Sequence, residues 1–110
     1  MLTKSAFHDK IAKGLHYLDG ATGSNLRKAG MPKDVCTEQW VLSNPEVLVA
    51  LQRSYAAAGS QILYAPTFQA QPIALEKIGC EKHTEAINAQ LVALSRSAAP
   101  DALIAGDITT

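Results

Sequence analysis

At 110 residues, 47% of them hydrophobic and 18% charged, the chain has the size and balance of one globular domain at most. Ten basic and ten acidic residues cancel, which leaves no charge excess to draw it to nucleic acid or to an anionic membrane. No apolar run approaches the roughly 20 residues that span a bilayer, so neither nucleic acid nor membrane is an expected partner.

The chain opens with Met1 to Lys13, where Lys4, His8, Asp9, Lys10 and Lys13 interrupt the apolar residues. That interruption argues against a secretory signal. Phe7 and Ile11, four apart, fit a short amphipathic helix over about residues 5–13 that lies across a larger body. Gly14 ends it. Leu15-His16-Tyr17-Leu18 reads as a first strand, closed by Asp19-Gly20-Ala21-Thr22-Gly23, where glycines permit a sharp turn and close approach of a ligand to the backbone. Asn25 to Ala29 spans one or two helical turns before Gly30, and Met31 to Glu38 reads as a loop leading to Trp40.

Asn44-Pro45-Glu46 has the order of a helix start: an N-cap, a proline at the first helical position, and an acid that complements the helix dipole. Leu48, Leu51, Tyr55 and Ala58 then mark one helical face, and Gly59 the C-terminal stop. Gln61 to Ala65 is a second strand, closed by Pro66-Thr67-Phe68. A short helix over about residues 72–78 ends at Gly79. A longer one over about residues 82–98 carries Ile87, Leu91, Leu94 and Ala98 as its apolar stripe. After Pro100-Asp101, residues 102–106 form a third strand that reaches Asp107.

The order strand, helix, strand, helix, strand predicts an α/β fold with parallel strands and helical crossovers. The sequence stops shortly after the third strand, with no helix to cover it and no further strand to pair with its edge. A fragment of a larger fold is therefore expected.

Ligands of parallel α/β folds collect at the carboxyl ends of the strands. The first such end offers Asp19, Gly20, Ala21, Thr22 and Gly23; the second, Thr67 and Phe68; the third, Asp107 with Thr109 and Thr110. Each also has an ordinary reading, since Asp-Gly is a common turn and Thr67 fits a strand-end cap. Their shared position favours a site. The glycines at 20 and 23 lack dinucleotide spacing, and no phosphate-loop Lys accompanies them. His8, His16 and His83 are scattered, and Cys36 and Cys80 have neither metal-type spacing nor a nucleophile–base arrangement with a histidine. The two thiols are expected to be reduced, buried small hydrophobes of a cytoplasmic protein.

Several passages resemble the homocysteine S-methyltransferase family, which includes the N-terminal domain of cobalamin-dependent methionine synthase. Leu18-Asp19-Gly20-Ala21-Thr22-Gly23-Ser24-Asn25-Leu26 resembles its "DGAxGT.L" strand end, and Ser43-Asn44-Pro45-Glu46 its "NPE" helix start. Residues 55–63 resemble "Y..AGADII", Ala65 to Ala70 resembles "TNTFGA", and Ile104 to Ile108 resembles "VAGDIGP". The likeness runs from about Leu15 to the end, with the motifs in register.

It implies that residues 1–110 are the N-terminal portion of one (β/α)₈ barrel domain, roughly its first three β/α units. It implies a zinc ion held by three cysteine thiolates in later strands, which binds the homocysteine sulfur. The methyl donor would be methylcobalamin, presented by a corrinoid protein or domain, or a betaine or sulfonium compound. Asp19 would receive the substrate's amino group, Gly20 and Ala21 its carboxylate, and Thr67 and Asp107 would line the same pocket. Neither Cys36 nor Cys80 matches a zinc ligand, and the chain alone is expected to be inactive. Pro66 replaces the family's Asn and Gln69 its Gly, which leaves open another thiol, or a methylated substrate with a corrinoid partner. A non-catalytic binding or assembly module is the reading from a different class.

Overall fold

The structure is a computed structural model that describes residues 1–109. Its elements in chain order are α1 (Lys4–Ile11), α2 (Gly23–Lys28), α3 (Thr37–Ser43), α4 (Pro45–Ala57), β1 (Ile62–Tyr64), α5 (Pro72–Glu76), a 3₁₀ turn at Glu81–His83, α6 (Thr84–Ala98) and β2 (Leu103–Ala105). The two strands pair in parallel, with Ile62 opposite Leu103 and Tyr64 opposite Ala105. The α/β class and the parallel crossover are as expected.

The predicted first strand is reduced to a single parallel bridge, Leu18 to Ile62. The Tyr17 carbonyl accepts from the N–H groups of Gln61 and Ile62 at 2.8 and 3.2 Å, and the Asp19 N–H donates to the Ile62 carbonyl at 3.1 Å. Leu15 and Tyr17 remain exposed, and the pairing stops at that one bridge. The predicted loop before Trp40 also differs, because α3 already begins at Thr37. Asn44 occupies the N-cap position of α4, yet its side chain makes no N-cap bond. Its Nδ2 instead donates to the Trp40 carbonyl at 2.9 Å and satisfies the end of α3. Replacing Asn44 by Ala is expected to lower stability by about 1 kcal/mol, the worth of one such bond, as read by urea denaturation.

The core lies on one side of the sheet. Leu26, Met31, Val41, Leu48, Ala70 and Leu91 form it, with Trp40, Leu51, Ile87 and Leu94 packed around them. Of the predicted stripes, Leu48 and Leu51 of α4 and Ile87, Leu91 and Leu94 of α6 meet there, whereas Ala58 is exposed beyond the end of α4 and Tyr55 turns to the loop after Asp19. Each helix also buries a polar residue, Gln52 and Ser95. Gln52 earns its place by donating from Nε2 to the Tyr64 carbonyl at 3.0 Å, which fastens α4 to the end of β1. The other side of the sheet is open. Leu2, Phe7, Leu18, Ile62, Tyr64 and Leu103 line an apolar depression of about 360 Å³ there. Helix α1 stands beside it and buries none of its residues, so the expected packing of α1 against a larger body is only begun. Among the described residues, no helix is long and apolar enough to cross a membrane.

Candidate functional site

The ends of the parallel segments bring most of the expected residues to one rim. After β1, the chain turns tightly: the Thr67 N–H donates to the Ala65 carbonyl at 2.8 Å, and the Ala70 N–H to the Thr67 carbonyl at 3.0 Å. Thr67 is buried, and its hydroxyl joins the second strand end to the third. Oγ1 donates to the Asp107 carbonyl and accepts from the Asp107 N–H, both at 2.9 Å. Phe68 is about half exposed beside it. Thr67, Phe68, Asn88, Val92 and Asp107 wall a cavity of about 220 Å³ against α6, which Thr109 also lines. Thr110 lies outside the described residues.

Asp19 is tied to the second strand end from the other direction, its Oδ2 accepting from the Tyr64 N–H at 3.1 Å. Partial burial pushes the Asp19 carboxyl above its ordinary pKa. The Tyr64 N–H and its own N–H oppose that shift, while the negative charge of Asp107 adds to it. Asp19 to Thr22 do not line the cavity beside Thr67.

The turn after Asp19 is shaped by a residue that the sequence marked as part of an apolar helix face and of a family-like passage, but not as part of the site. Tyr55, on α4, donates its hydroxyl to the Ala21 carbonyl at 2.7 Å. Asn25, on α2, donates from Nδ2 to the same carbonyl at 2.8 Å and to the Tyr55 hydroxyl oxygen at 3.0 Å. With the Ala21 carbonyl drawn to Tyr55, the trans peptide turns the Thr22 N–H to the opposite side. The Tyr55 ring also explains Gly20: a Cβ there would lie 2.8 Å from the Tyr55 hydroxyl oxygen and 2.9 Å from Cε1.

Two more polar residues grip the loop after β1. Glu38 is buried on the first turn of α3, and its Oε1 accepts from the Gln69 N–H at 2.8 Å. Asn88, on α6, donates from Nδ2 to the Ala70 carbonyl at 2.6 Å. In the sequence, Glu38 was one more charged residue of an apparent loop. Without α3 nothing pointed it inward.

A family model described as homocysteine S-methyltransferase matches residues 17–110. The chain belongs to the homocysteine S-methyltransferase family. The motif at Asp19 to Gly23 and those after β1 and at β2 all lie within the matched segment. Among solved structures, the chain is similar to the homocysteine methyltransferase MmuM from Escherichia coli in its metallated form. The TM-score is 0.76 and the identity 24%, over 93% of this chain and 40% of that one. The oxidized form of the same protein gives a TM-score of 0.75 and 26% identity, over 94% and 39% of the two chains. The chain thus spans about two fifths of the length of these homocysteine methyltransferases. Comparison with curated proteins finds no match.

The family implies zinc, and the described residues do not fit it by themselves. No group of three or more His, Cys, Asp or Glu among them could hold a metal ion. The Cys36 thiol donates to Glu38 Oε2 at 3.4 Å, and the Cys80 thiol to the Ile78 carbonyl at 3.6 Å. Burial and the neighbouring Glu38 carboxylate, against nearby backbone N–H groups, push the Cys36 thiol above its usual pKa. That environment disfavours the thiolate.

Proposed function

We propose that this chain contributes the amino-acid-binding rim of a methyltransferase that places a methyl group on the sulfur of homocysteine. The observation that carries this reading is the convergence, in a member of this family, of Asp19, the Gly20–Ala21 turn and the Thr67–Asp107 clasp at adjoining strand ends. In it, the Asp19 carboxylate receives the substrate ammonium as a charge-assisted hydrogen bond. The backbone from Gly20 to Thr22, held by Tyr55 and Asn25, meets the substrate carboxylate. Thr67, Phe68 and Asp107 bound the pocket on the far side.

These contacts fix the amino-acid end of the substrate and leave its thiol free to reach the methyl donor. In the transfer, a sulfur lone pair forms the sulfur–carbon bond, the bond between the methyl carbon and the donor breaks with its electron pair leaving on the donor, and the thiol proton passes to solvent. No residue of this chain is assigned to that step. The zinc, and the donor, whether methylcobalamin on a corrinoid partner, a betaine or a sulfonium, belong to residues outside this segment.

The same reading makes residues 1–110 the opening portion of a single (β/α)₈ barrel domain in a cytoplasmic enzyme. The open apolar side of the sheet, with Leu18 and Tyr64 uncovered, is the surface that the remaining strands of a barrel would enclose. Titration of L-homocysteine into the full-length protein, with and without zinc, tests the proposal by calorimetry. Zinc-dependent saturable binding is the expected result. Absence of binding by the zinc-loaded protein would exclude homocysteine as the substrate.

A further inference from the structure

The structure assigns to Glu38 a positioning role in the substrate site, which it fulfils by holding the loop of Thr67 and Phe68 through the Gln69 amide. The inference rests on the proposed homocysteine site. Glu38 is only 3% exposed, yet neither of its hydrogen-bond partners is a cation. A carboxylate is costly to bury, and it persists inside a protein when its oxygens are engaged. Here Oε1 takes the Gln69 N–H at 2.8 Å and Oε2 the Cys36 thiol at 3.4 Å. Its place on the first turn of α3 puts the negative charge at the favourable end of the helix dipole.

The bond to Gln69 matters because of what adjoins it. Thr67 and Phe68 precede Gln69 directly, and the Ala70 N–H closes the turn on the Thr67 carbonyl. From the other side, Asn88 holds the Ala70 carbonyl. The loop is thus clamped by a donor from α6 and an acceptor from α3, and the Thr67–Asp107 clasp stands at its inner end. Removing the acceptor frees the Gln69 amide and loosens the segment that carries two of the proposed pocket residues. What the loop needs from position 38 is an oxygen at the right reach. A neutral amide supplies that as well as a carboxylate does.

The test compares Glu38→Gln, Glu38→Asp and Glu38→Ala with wild type in the full-length, zinc-loaded protein. L-homocysteine affinity is measured by calorimetry, and amide hydrogen exchange is followed in the peptide containing Gln69. Glu38→Gln is expected to bind within about threefold of wild type, since its Oε1 keeps the acceptor. Glu38→Asp, one methylene short, and Glu38→Ala should weaken binding about tenfold or more and speed exchange at the loop. If Glu38→Ala fails to fold, the order of Gln above Asp decides the matter. Asp binding as well as Gln, or better, would overturn the role, as would unchanged affinity and exchange in all three variants. A wild-type protein that binds no homocysteine would instead remove the site on which the inference stands.

Discussion

Replacing Asp19 by Asn is expected to weaken homocysteine binding roughly 10- to 150-fold while leaving the folded protein at least as stable at neutral pH. The loss follows from removing a charged acceptor, since a hydrogen bond to an ionised group is worth about 1.5–3 kcal/mol and each 1.4 kcal/mol is tenfold in affinity. The stability claim follows from the sign of the shift at Asp19, whose folded-state pKa is raised chiefly by burial. A group that holds its proton more tightly when folded opposes folding once ionised, and that penalty disappears as the pH falls through the folded-state pKa. The uncharged Asn escapes the penalty and retains an oxygen for the Tyr64 N–H. The variant should melt no lower than wild type at pH 7, with any difference shrinking on acidification. Calorimetric titration reads the first half, and thermal melts from neutral to acid pH the second. A variant that melts well below wild type while binding normally would contradict both halves.

Gly20→Ala should produce the second large effect, through crowding rather than charge. The added methyl would meet Tyr55 at 2.8 to 3.0 Å, closer than real side-chain carbons approach. The ring is not free to swing aside, because its hydroxyl is bonded both to Ala21 and to Asn25. Overpacking of this kind costs about 1–3 kcal/mol. In a protein of the neighbours' size that lowers the melting temperature by about 2–12 °C. Displacing Tyr55 also takes from the Ala21 carbonyl one of its two donors, so substrate affinity should fall with it. The cause is checked by repeating the change in a Tyr55→Ser background. There the methyl has room, and Gly20→Ala should add almost nothing. An equal loss in both backgrounds would place the reason for the glycine elsewhere.

The sequence made the helices and the parallel crossover legible because both leave local marks. Asn44-Pro45-Glu46 announced the start of α4, Gly59 its end, and the stripe from Ile87 to Ala98 the buried face of α6. The strand-end residues were legible because their position along each strand could be counted. What escaped was set by pairing over long distance. Leu15 to Leu18 has the composition of a strand, but whether it forms one depends on how far it pairs with β1, and only Leu18 bridges to Ile62. Asn44 has the composition of an N-cap, but the competing Trp40 carbonyl takes its side chain. The same limit applied to the site. Asp19, Gly20 and Thr67 stand at countable strand ends, whereas Tyr55 and Glu38 act on them from 34 and 31 residues away, and Asn25 joins Ala21 to Tyr55 through contacts that no local pattern announces.

The bare apolar side of the sheet has a consequence for how such a protein is made. In the proposed barrel, a ribosome finishes the helices and their outer core first, while the strands that would line the inner wall are still untranslated. At about 5–20 residues per second, the remaining three fifths of a chain the length of the neighbours would take roughly ten to thirty seconds to emerge. If the segment packs as it does here, Leu18, Tyr64 and Phe7 would stay exposed to water through that interval. A nascent chain in that state is a natural client for a chaperone that shields hydrophobic surface. Polar substitutions on this wall should therefore alter the yield of newly made protein in ways that the stability of the finished fold does not reveal.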